Sequence, residues 1–277
     1  MDTNANQPIL VLGGTGKTGR RVLERLQTRG LPTRLGSRGA KPPFDWENDA
    51  TWAPALEGVR SAYVSYYPDL AIPGAVETVG AFARLAVERG VPRLVLLAGR
   101  GEEEAELAEQ AVRDSGAELT IVRATWFAQN FSEDYMRDGV LAGELALPAG
   151  NTPEPFVDAD DIADVAVAAL TEDGHVGQLY ELTGPRLLTF AQAVAEIGEA
   201  AGREIRYVPV SQEEFAAAAV DQGVPAEFIE LLAYLFGEVL DGRNAHVTDG
   251  VQRALGRPPK DFRDFARDAA ATGVWDV

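Results

Sequence analysis

Seven residues near the amino terminus have the types and spacing to hold a diphosphate: Gly13-Gly14-Thr15-Gly16-Lys17-Thr18-Gly19. They follow the short apolar run Ile9-Leu10-Val11-Leu12 and precede a segment of helix formers from Arg20 to Arg29. A strand, a glycine turn and a helix start in that order form the usual grip on a dinucleotide diphosphate. Gly13 supplies backbone angles that a side chain forbids. Gly16 lets phosphates approach the main chain, and Gly19 lets the helix pack on the strand. The helix start adds free N–H groups and the positive end of a dipole. Gly16-Lys17-Thr18 also matches the end of a triphosphate-binding loop. That loop needs a glycine where this chain has Val11, so the reading fails on spacing.

The end of the second strand addresses which dinucleotide is held. An NAD site usually carries an acid about twenty positions after the glycines, for the ribose 2′-hydroxyl. No Asp or Glu lies between Glu24 and Asp45. The strand instead ends in Ser37-Arg38, with Lys41 close behind. A guanidinium can pair with a 2′-phosphate through two hydrogen bonds, and Ser37 can add a third. NADPH/NADP is therefore expected in preference to NADH/NAD.

These residues need a scaffold, and the pattern along the chain supplies one. Strands are expected at Ile9–Leu12, Thr33–Ser37, Ser61–Ser65, Leu94–Ala98 and Leu119–Arg123. Helices are expected between them at Gly16–Arg29, Pro73–Gly90 and Glu102–Ser115. Alternating units of this kind imply α/β architecture: a Rossmann-type, doubly wound parallel sheet. Ala40–Pro54 reads as a degraded third strand and loop. After Arg123 the rhythm changes. Leu141–Pro148 reads as a strand or hairpin arm, Asp158–Leu170 as a helix and Tyr180–Leu182 as a late strand. Thr189 caps a helix reaching Ala201, and Ile205–Pro209 is a short strand. Helices are expected at Ser211–Val220, Pro225–Leu240, Asp249–Leu255 and Asp261–Ala271. The expected division is 1–150 for the dinucleotide-binding domain. Residues 151–277 form a smaller C-terminal α+β substrate lobe over the sheet's carboxyl ends, with residues near 151–185 able to return to the sheet.

Composition narrows the function. The chain has 277 residues, no cysteine and a formal charge of −18. Cysteine nucleophiles, thiolate metal sites and disulfides are excluded. No basic patch is visible, so nucleic acid is not an expected partner. No window approaches the length of an apolar span, so no membrane insertion is expected. The polar start, Met1–Pro8, has no apolar leader core, and a cytoplasmic location is expected. The expected partner is a small-molecule substrate, with monomer and homodimer both open.

The chain resembles the NmrA-like branch of the atypical short-chain dehydrogenases. The residues that carry the resemblance are Leu12 to Gly19, Val95-Leu96-Leu97-Ala98-Gly99, Val122 to Phe131, Phe156 to Ala163 and Val247-Thr248-Asp249-Gly250. Within that branch it is similar to bacterial relatives of the fungal ergot-alkaloid reductases, which reduce iminium intermediates with NADPH. The branch also contains quinone and azo reductases, and NmrA-type regulators that bind the cofactor without catalysis. By position, the resemblance places Gly13, Thr15, Gly16, Lys17 and Thr18 on the diphosphate, and Ser37 and Arg38 on the ribose phosphate. It places Ser65, Tyr66 and Tyr67 along the cofactor, Ala98, Gly99 and Arg100 near the nicotinamide, and Trp126, Phe127 and Asn130 in the substrate pocket.

The usual proton-transfer pair of short-chain dehydrogenases is missing. None of the tyrosines at 63, 66, 67, 135, 180, 207 and 234 has lysine four residues later. Glu102–Ser115, where the pair would lie, contains neither residue type. Iminium reduction escapes the difficulty, because a cation that accepts hydride becomes a neutral amine without a proton donor. Tyr66, Tyr67, Trp126 and Phe127 can stabilise such a cation through their ring faces. Tyr66 or Tyr67 can also serve as proton donor to a quinone or enone. Arg100 can bind a substrate oxygen or a cofactor phosphate, or form a salt bridge to Glu102 or Glu103. Tyr66 and Arg100 are thus the catalytic candidates. The expected activity is NADPH-dependent reduction of an iminium, quinone or conjugated carbonyl; the alternative is a non-catalytic, NADP-binding redox sensor.

The remaining polar clusters suggest structure. Asp158, Asp160, Asp161, Asp164 and Glu102–Glu104 fall in first helical turns, where acids act as caps and dipole partners. His175 and His246 lack spaced partners for a metal, and none is expected. Phe228, Leu231, Leu232, Leu235 and Phe236 form a helical stripe that reads as core.

Overall fold

The computed structural model describes residues 6–277, so most of the polar start lies outside the described residues. Strands, in chain order, are β1 (Ile9–Leu12), β2 (Thr33–Gly36), β3 (Ser61–Val64), β4 (Arg93–Gly99), β5 (Glu118–Ala124), β6 (Glu144–Leu147), β7 (Leu179–Leu182) and β8 (Arg206–Pro209). The first seven helices are α1 (Lys17–Thr28), α2 (Trp52–Leu56), α3 (Ala75–Glu88), α4 (Glu103–Arg113), α5 (Asn130–Glu133), α6 (Met136–Ala142) and α7 (Ala159–Thr171). The rest are α8 (Phe190–Ala201), α9 (Gln212–Asp221), α10 (Ala226–Tyr234), α11 (Gly250–Leu255) and α12 (Phe262–Ala271).

The chain divides into two compact units. The first comprises the residues up to Ala124, Ala159–Leu182 and Asp249–Arg257. Its six-stranded sheet has the order β2-β1-β3-β4-β5-β7, with every neighbouring pair parallel. Central strands of such a sheet are covered on both faces and so read as unbroken apolar runs. Leu10, Leu12, Ala62, Val64, Leu94 and Leu96 pack with Val79, Phe82 and Ala83 of α3 and Ala105, Ala108 and Val112 of α4. The alternate residues Ile9, Val11, Tyr63 and Val95 are equally buried beneath the layer of α1 and α7. The chain leaves β1 for β2 on one side and returns to β3 on the other. The carboxyl ends of β1 and β3 therefore flank the topological switch point, where open α/β sheets bind ligands.

Ala40–Pro54 forms no strand of the sheet. A short bridge joins Asp45 to Asn48, and Phe44, Trp46 and Trp52 pack edge-on against Phe82.

The second unit comprises Thr125–Asp158, Thr183–Thr248 and Pro258–Val277. The dividing point after Ala124 precedes the boundary at residue 150 expected from the sequence. Phe131, Met136, Val140, Leu145 and Leu147 bury themselves against Phe156, Phe190, Phe262 and Trp275, which is the second unit's own core. Leu145 and its neighbours form no hairpin: β6 pairs in parallel with β8. Ala159–Leu182, in contrast, belongs to the first unit, with β7 extending the sheet beside β5 and α7 packed on α1. Thr189 closes a reciprocal capping box with Gln192 at the start of α8. The helix expected to reach Leu240 changes at Leu235–Val239 into a π-helical turn, which carries the buried Phe236 and Val239. Leu231 and Leu232 are buried with Phe236 as the stripe predicts.

Candidate functional site

The glycine turn is built by close approach. Gly13 has φ +64°, and the Gly16 N–H donates to its carbonyl at 2.8 Å. A Cβ on Gly19 would lie 2.2 Å from the Gly13 carbonyl oxygen and 2.9 Å from Gly14 Cα, so only hydrogen fits there. A Cβ on Gly14 would meet Leu35 Cδ1 at 2.5 Å, and one on Gly13 would meet Ser65 Cβ at 3.2 Å. The turn is thus wedged between α1, β2 and the end of β3. Thr15 and Gly16 form its exposed tip, and Lys17 is partly buried. Gly16 is the α1 N-cap; it offers no side-chain cap, and no acid occupies the first turn. The positive end of α1 is therefore left for an external anion. A cradle of bare main chain at an uncapped helix start fits a dinucleotide diphosphate.

Thr18 departs from the sequence expectation. Its side chain is buried, and its hydroxyl accepts a hydrogen bond from the Tyr63 phenol on β3 at 2.9 Å. That side chain ties α1 to the sheet and does not face the cradle; only the Thr18 main-chain N–H is left to offer an anion. Burial raises the Tyr63 phenol far above its usual range.

At the end of β2, the Ser37 carbonyl accepts N–H groups from Ala40 (3.1 Å) and Phe44 (2.9 Å), which shapes the following loop. Arg38 is exposed and has no bonded partner among the described residues. Lys41 is exposed as well.

At the end of β3, Ser65 and Tyr66 are partly buried and Tyr67 is 68% exposed. The Tyr66 ring lies 4.9 Å from that of Trp46, whose indole N–H donates to the Ser65 carbonyl at 3.4 Å. At the end of β4, Ala98 is buried and Gly99 lies beneath the Glu102 carboxyl. Glu102 does not cap α4 as expected; it turns to Asp69 in the loop after β3. Arg100 also departs from expectation. It is buried, its main-chain N–H donates to the Ala124 carbonyl at 3.0 Å, and its guanidinium pairs with Glu181 on β7 at 3.8 Å. Glu181 also holds Arg123 at 3.2 Å, and Arg123 makes a 2.6 Å ion pair to the buried Glu109. Arg100 is part of this ion-pair network across the sheet, paired with Glu181 where the sequence suggested Glu102 or Glu103.

Trp126, Phe127 and Asn130 lie in the second unit. Trp126 is partly buried, edge-on to Phe190 at 5.4 Å and tilted over Phe236 at 4.9 Å. Phe127 forms a parallel bridge to Val157, and Asn130 begins α5. Asp160 and Asp161 stand in the first turn of α7 as expected, and the α7 acids also make ion pairs. Asp160 and Asp164 pair with Arg25 at 2.8 and 2.5 Å, and Asp161 with Arg257 at 2.6 Å. Asp158 accepts from the Gln129 amide and pairs with Lys260 at 3.2 Å. His175 is buried against the Tyr180 phenol at 3.0 Å.

A profile of the NmrA-like family matches residues 105–255, more than half of the chain. The chain belongs to the NmrA-like family. Its relatives include an uncharacterized oxidoreductase, YesF, of Bacillus subtilis, 33% identical over 97% of this chain and 98% of that one. An NAD(P)H azoreductase of Xenophilus azovorans is 32% identical over 95% and 98% of the two chains. Festuclavine synthase II of Penicillium roqueforti is 32% identical over 93% and 96%. Among solved structures, a nucleoside-diphosphate-sugar epimerase of Staphylococcus aureus superposes with a TM-score of 0.79 at 20% identity, covering 94% and 99%. The NADPH-dependent quinone oxidoreductase of Escherichia coli, complexed with NADPH, gives 0.77 at 20% identity, also covering 94% and 99%. Those two share the fold.

Two features of this NmrA-like chain escaped the sequence reading. Trp46 stands in the segment read as irregular, yet it supports both Tyr66 and Ser65. The available signal was aromatic density: Phe44, Trp46 and Trp52 within nine residues of an apparent loop. The Asp69–Glu102 contact had no signal at all, because it joins two loops across neighbouring strands.

Proposed function

We propose that this chain reduces a small conjugated or cationic organic acceptor with NADPH. In coarser terms it is an NAD(P)H-dependent oxidoreductase, in line with relatives named as an NAD(P)H azoreductase and an oxidoreductase. The observation that carries the finer reading is the bare-glycine cradle at the uncapped start of α1, with Arg38 unengaged at the end of the adjacent strand.

Gly13, Thr15, Gly16 and Lys17, with the Thr18 main-chain N–H, hold the diphosphate. Gly19 makes that turn possible by packing. Ser37 and Arg38 read the 2′-phosphate. Ser65, Tyr66, Tyr67, Ala98 and Gly99 border the rest of the cofactor at the carboxyl edge of β3 and β4. When bound, the cofactor supplies the hydride. The chain's own task is to orient the acceptor, which brings a reaction close to unimolecular terms. Tyr66, held on Trp46, presents a ring face worth ~0.5–2 kcal/mol to a cation. Trp126, Phe127 and Asn130 are the substrate-pocket residues that the family resemblance implies, and on that ground the second unit is assigned as the substrate lobe.

Absorbance of NADPH, followed with a panel of iminium, quinone and azo compounds, tests the proposal. NADPH oxidation that depends on a panel member supports it. Binding of NADPH without reduction of any member sinks it in favour of a non-catalytic redox sensor.

A further inference from the structure

Two carboxyl groups meet at the same sheet edge as the glycine cradle. Asp69 lies in the loop after β3, and Glu102 immediately precedes α4. Glu102 is 6% exposed. Its carboxyl is folded back over the end of β4, so closely that a Cβ on Gly99 would sit 1.9 Å from Oε1. The Asp69 and Glu102 side chains are hydrogen-bonded to each other. Two carboxylates can only accept, so that bond requires one of them to carry a proton.

The surroundings decide which one. Asp69 accepts main-chain N–H groups from Ala71, at 2.9 Å, and from Leu70, both of which favour its charged form. The charged groups acting on Glu102 are Asp69 and Glu104, both acidic. Glu102 Oε2 is buried with no hydrogen-bond partner. Burial first, then these two acids, hold the Glu102 carboxyl well above the usual carboxylate range. Burial also raises Asp69. Both carboxyls are thus raised, and the surroundings favour Glu102 as the holder of a shared proton with Asp69 as its acceptor. Arg100, two residues from Glu102, is paired with Glu181.

We propose that Asp69 and Glu102 form a proton-holding pair that supplies the proton taken up when a neutral acceptor is reduced. The task is the one left open by the absent Tyr-x-x-x-Lys pair, and the inference rests on the NADPH-reductase reading above. In the reduction of a neutral quinone, enone or azo bond, hydride from the reduced nicotinamide adds to one atom of the π bond. The π electrons move to the other atom, which becomes an anion. That anion takes the Glu102 proton as the Glu102 O–H bond breaks. Glu102 is left as carboxylate beside Asp69, and a solvent proton restores the pair. The cofactor leaves oxidised, and the acceptor has gained one hydride and one proton. A cationic iminium needs only the hydride and is indifferent to the pair.

The test compares wild type with Glu102→Gln and Asp69→Asn in the full chain. Difference infrared spectroscopy on titration through neutral pH should show a protonated-carboxyl C=O band that Glu102→Gln abolishes. Calorimetry should find NADPH binding to Glu102→Gln unchanged. Its turnover of a neutral quinone should fall ~100-fold or more, the usual worth of a general acid, with iminium turnover unchanged. Asp69→Asn removes a negative neighbour and lowers the Glu102 pKa. The high-pH loss of quinone turnover should therefore move to lower pH. The proposal is overturned by absence of the band, by full quinone turnover in Glu102→Gln, or by equal losses with both acceptors. Should Glu102→Gln not fold, an unmoved pH profile in Asp69→Asn overturns it alone. A wild type that binds NADPH but reduces no acceptor removes the reductase reading instead, and with it the supply role.

Discussion

Replacing Gly19 and Gly16 separately by alanine distinguishes packing of the cradle from contact with the cofactor. A Cβ on Gly19 would lie 2.2 Å from the Gly13 carbonyl oxygen and 2.6 Å from its carbon. Ordinary carbon–oxygen contacts begin at about 3.3 Å, so either α1 or the turn must shift by ~1 Å. Alanine gains ~1 kcal/mol of helix propensity over glycine. Overpacking of a rigid contact costs up to ~3 kcal/mol. The net loss is then ~2 kcal/mol, a fall in Tm of about 4–8 °C at ~2–4 °C per kcal/mol for a chain of this size. The same shift breaks the cradle, so NADPH affinity falls with stability. Gly16 behaves differently. Its φ of −83° is open to alanine, and its added Cβ would stand 3.3 Å from the Gly13 oxygen. The N-cap change costs ~0.5–1 kcal/mol, while the methyl group lies on the exposed face offered to the diphosphate. Gly16→Ala should keep Tm within a few degrees (~2–4 °C) and weaken NADPH at least ~10-fold, ~1.4 kcal/mol. Thermal unfolding and calorimetry on both variants decide. Wild-type stability in Gly19→Ala, or wild-type NADPH affinity in Gly16→Ala, would refute the reasoning.

Arg38→Ala removes the 2′-phosphate contact and should weaken NADPH by ~10-fold or more, with NADH nearly unaffected; equal losses in paired titrations would contradict the assignment. Tyr66→Phe keeps the ring on Trp46 and should leave iminium turnover nearly intact, whereas Tyr66→Ala should lose the ~0.5–2 kcal/mol of a cation–ring contact. A large drop in the chemical step for Tyr66→Phe would show that the phenol itself acts. In the second unit, Arg186 pairs with Glu196 and Asp261, each at 2.7 Å, and holds the Asp261 carboxyl below the usual range. A depressed folded-state pKa stabilises above the unfolded value and is lost as pH falls through the folded one. Unfolding of wild type should therefore become easier on acidification, and Arg186→Met should flatten that part of the profile; identical profiles would remove the role.

Local patterns along the chain told most about the first unit. Ile9–Leu12 with its glycines fixed a strand, a turn and a helix start, because each needs only neighbouring residues to be recognised. The exposed position of Arg38 just after β2 was legible for the same reason: the strand before it is a short local run. Pairings between distant segments were not legible. Phe131, Met136 and Val140 are apolar whichever core they enter, so the division after Ala124 was invisible. The parallel pairing of β6 with β8 joins segments some sixty residues apart, and no local turn announces it. Arg100 looked available because its partner, Glu181, arrives only when β7 joins the sheet. Glu102 looked like a cap, as acids before helices usually are. Its turn toward Asp69 depends on the space that Gly99 leaves, which only the folded edge reveals.

Calorimetric titration of the full wild-type chain with NADPH and with NADH bears most directly on the nucleotide cradle. The account predicts saturable one-to-one binding, tighter for NADPH. No heat from either nucleotide with properly folded protein would contradict it.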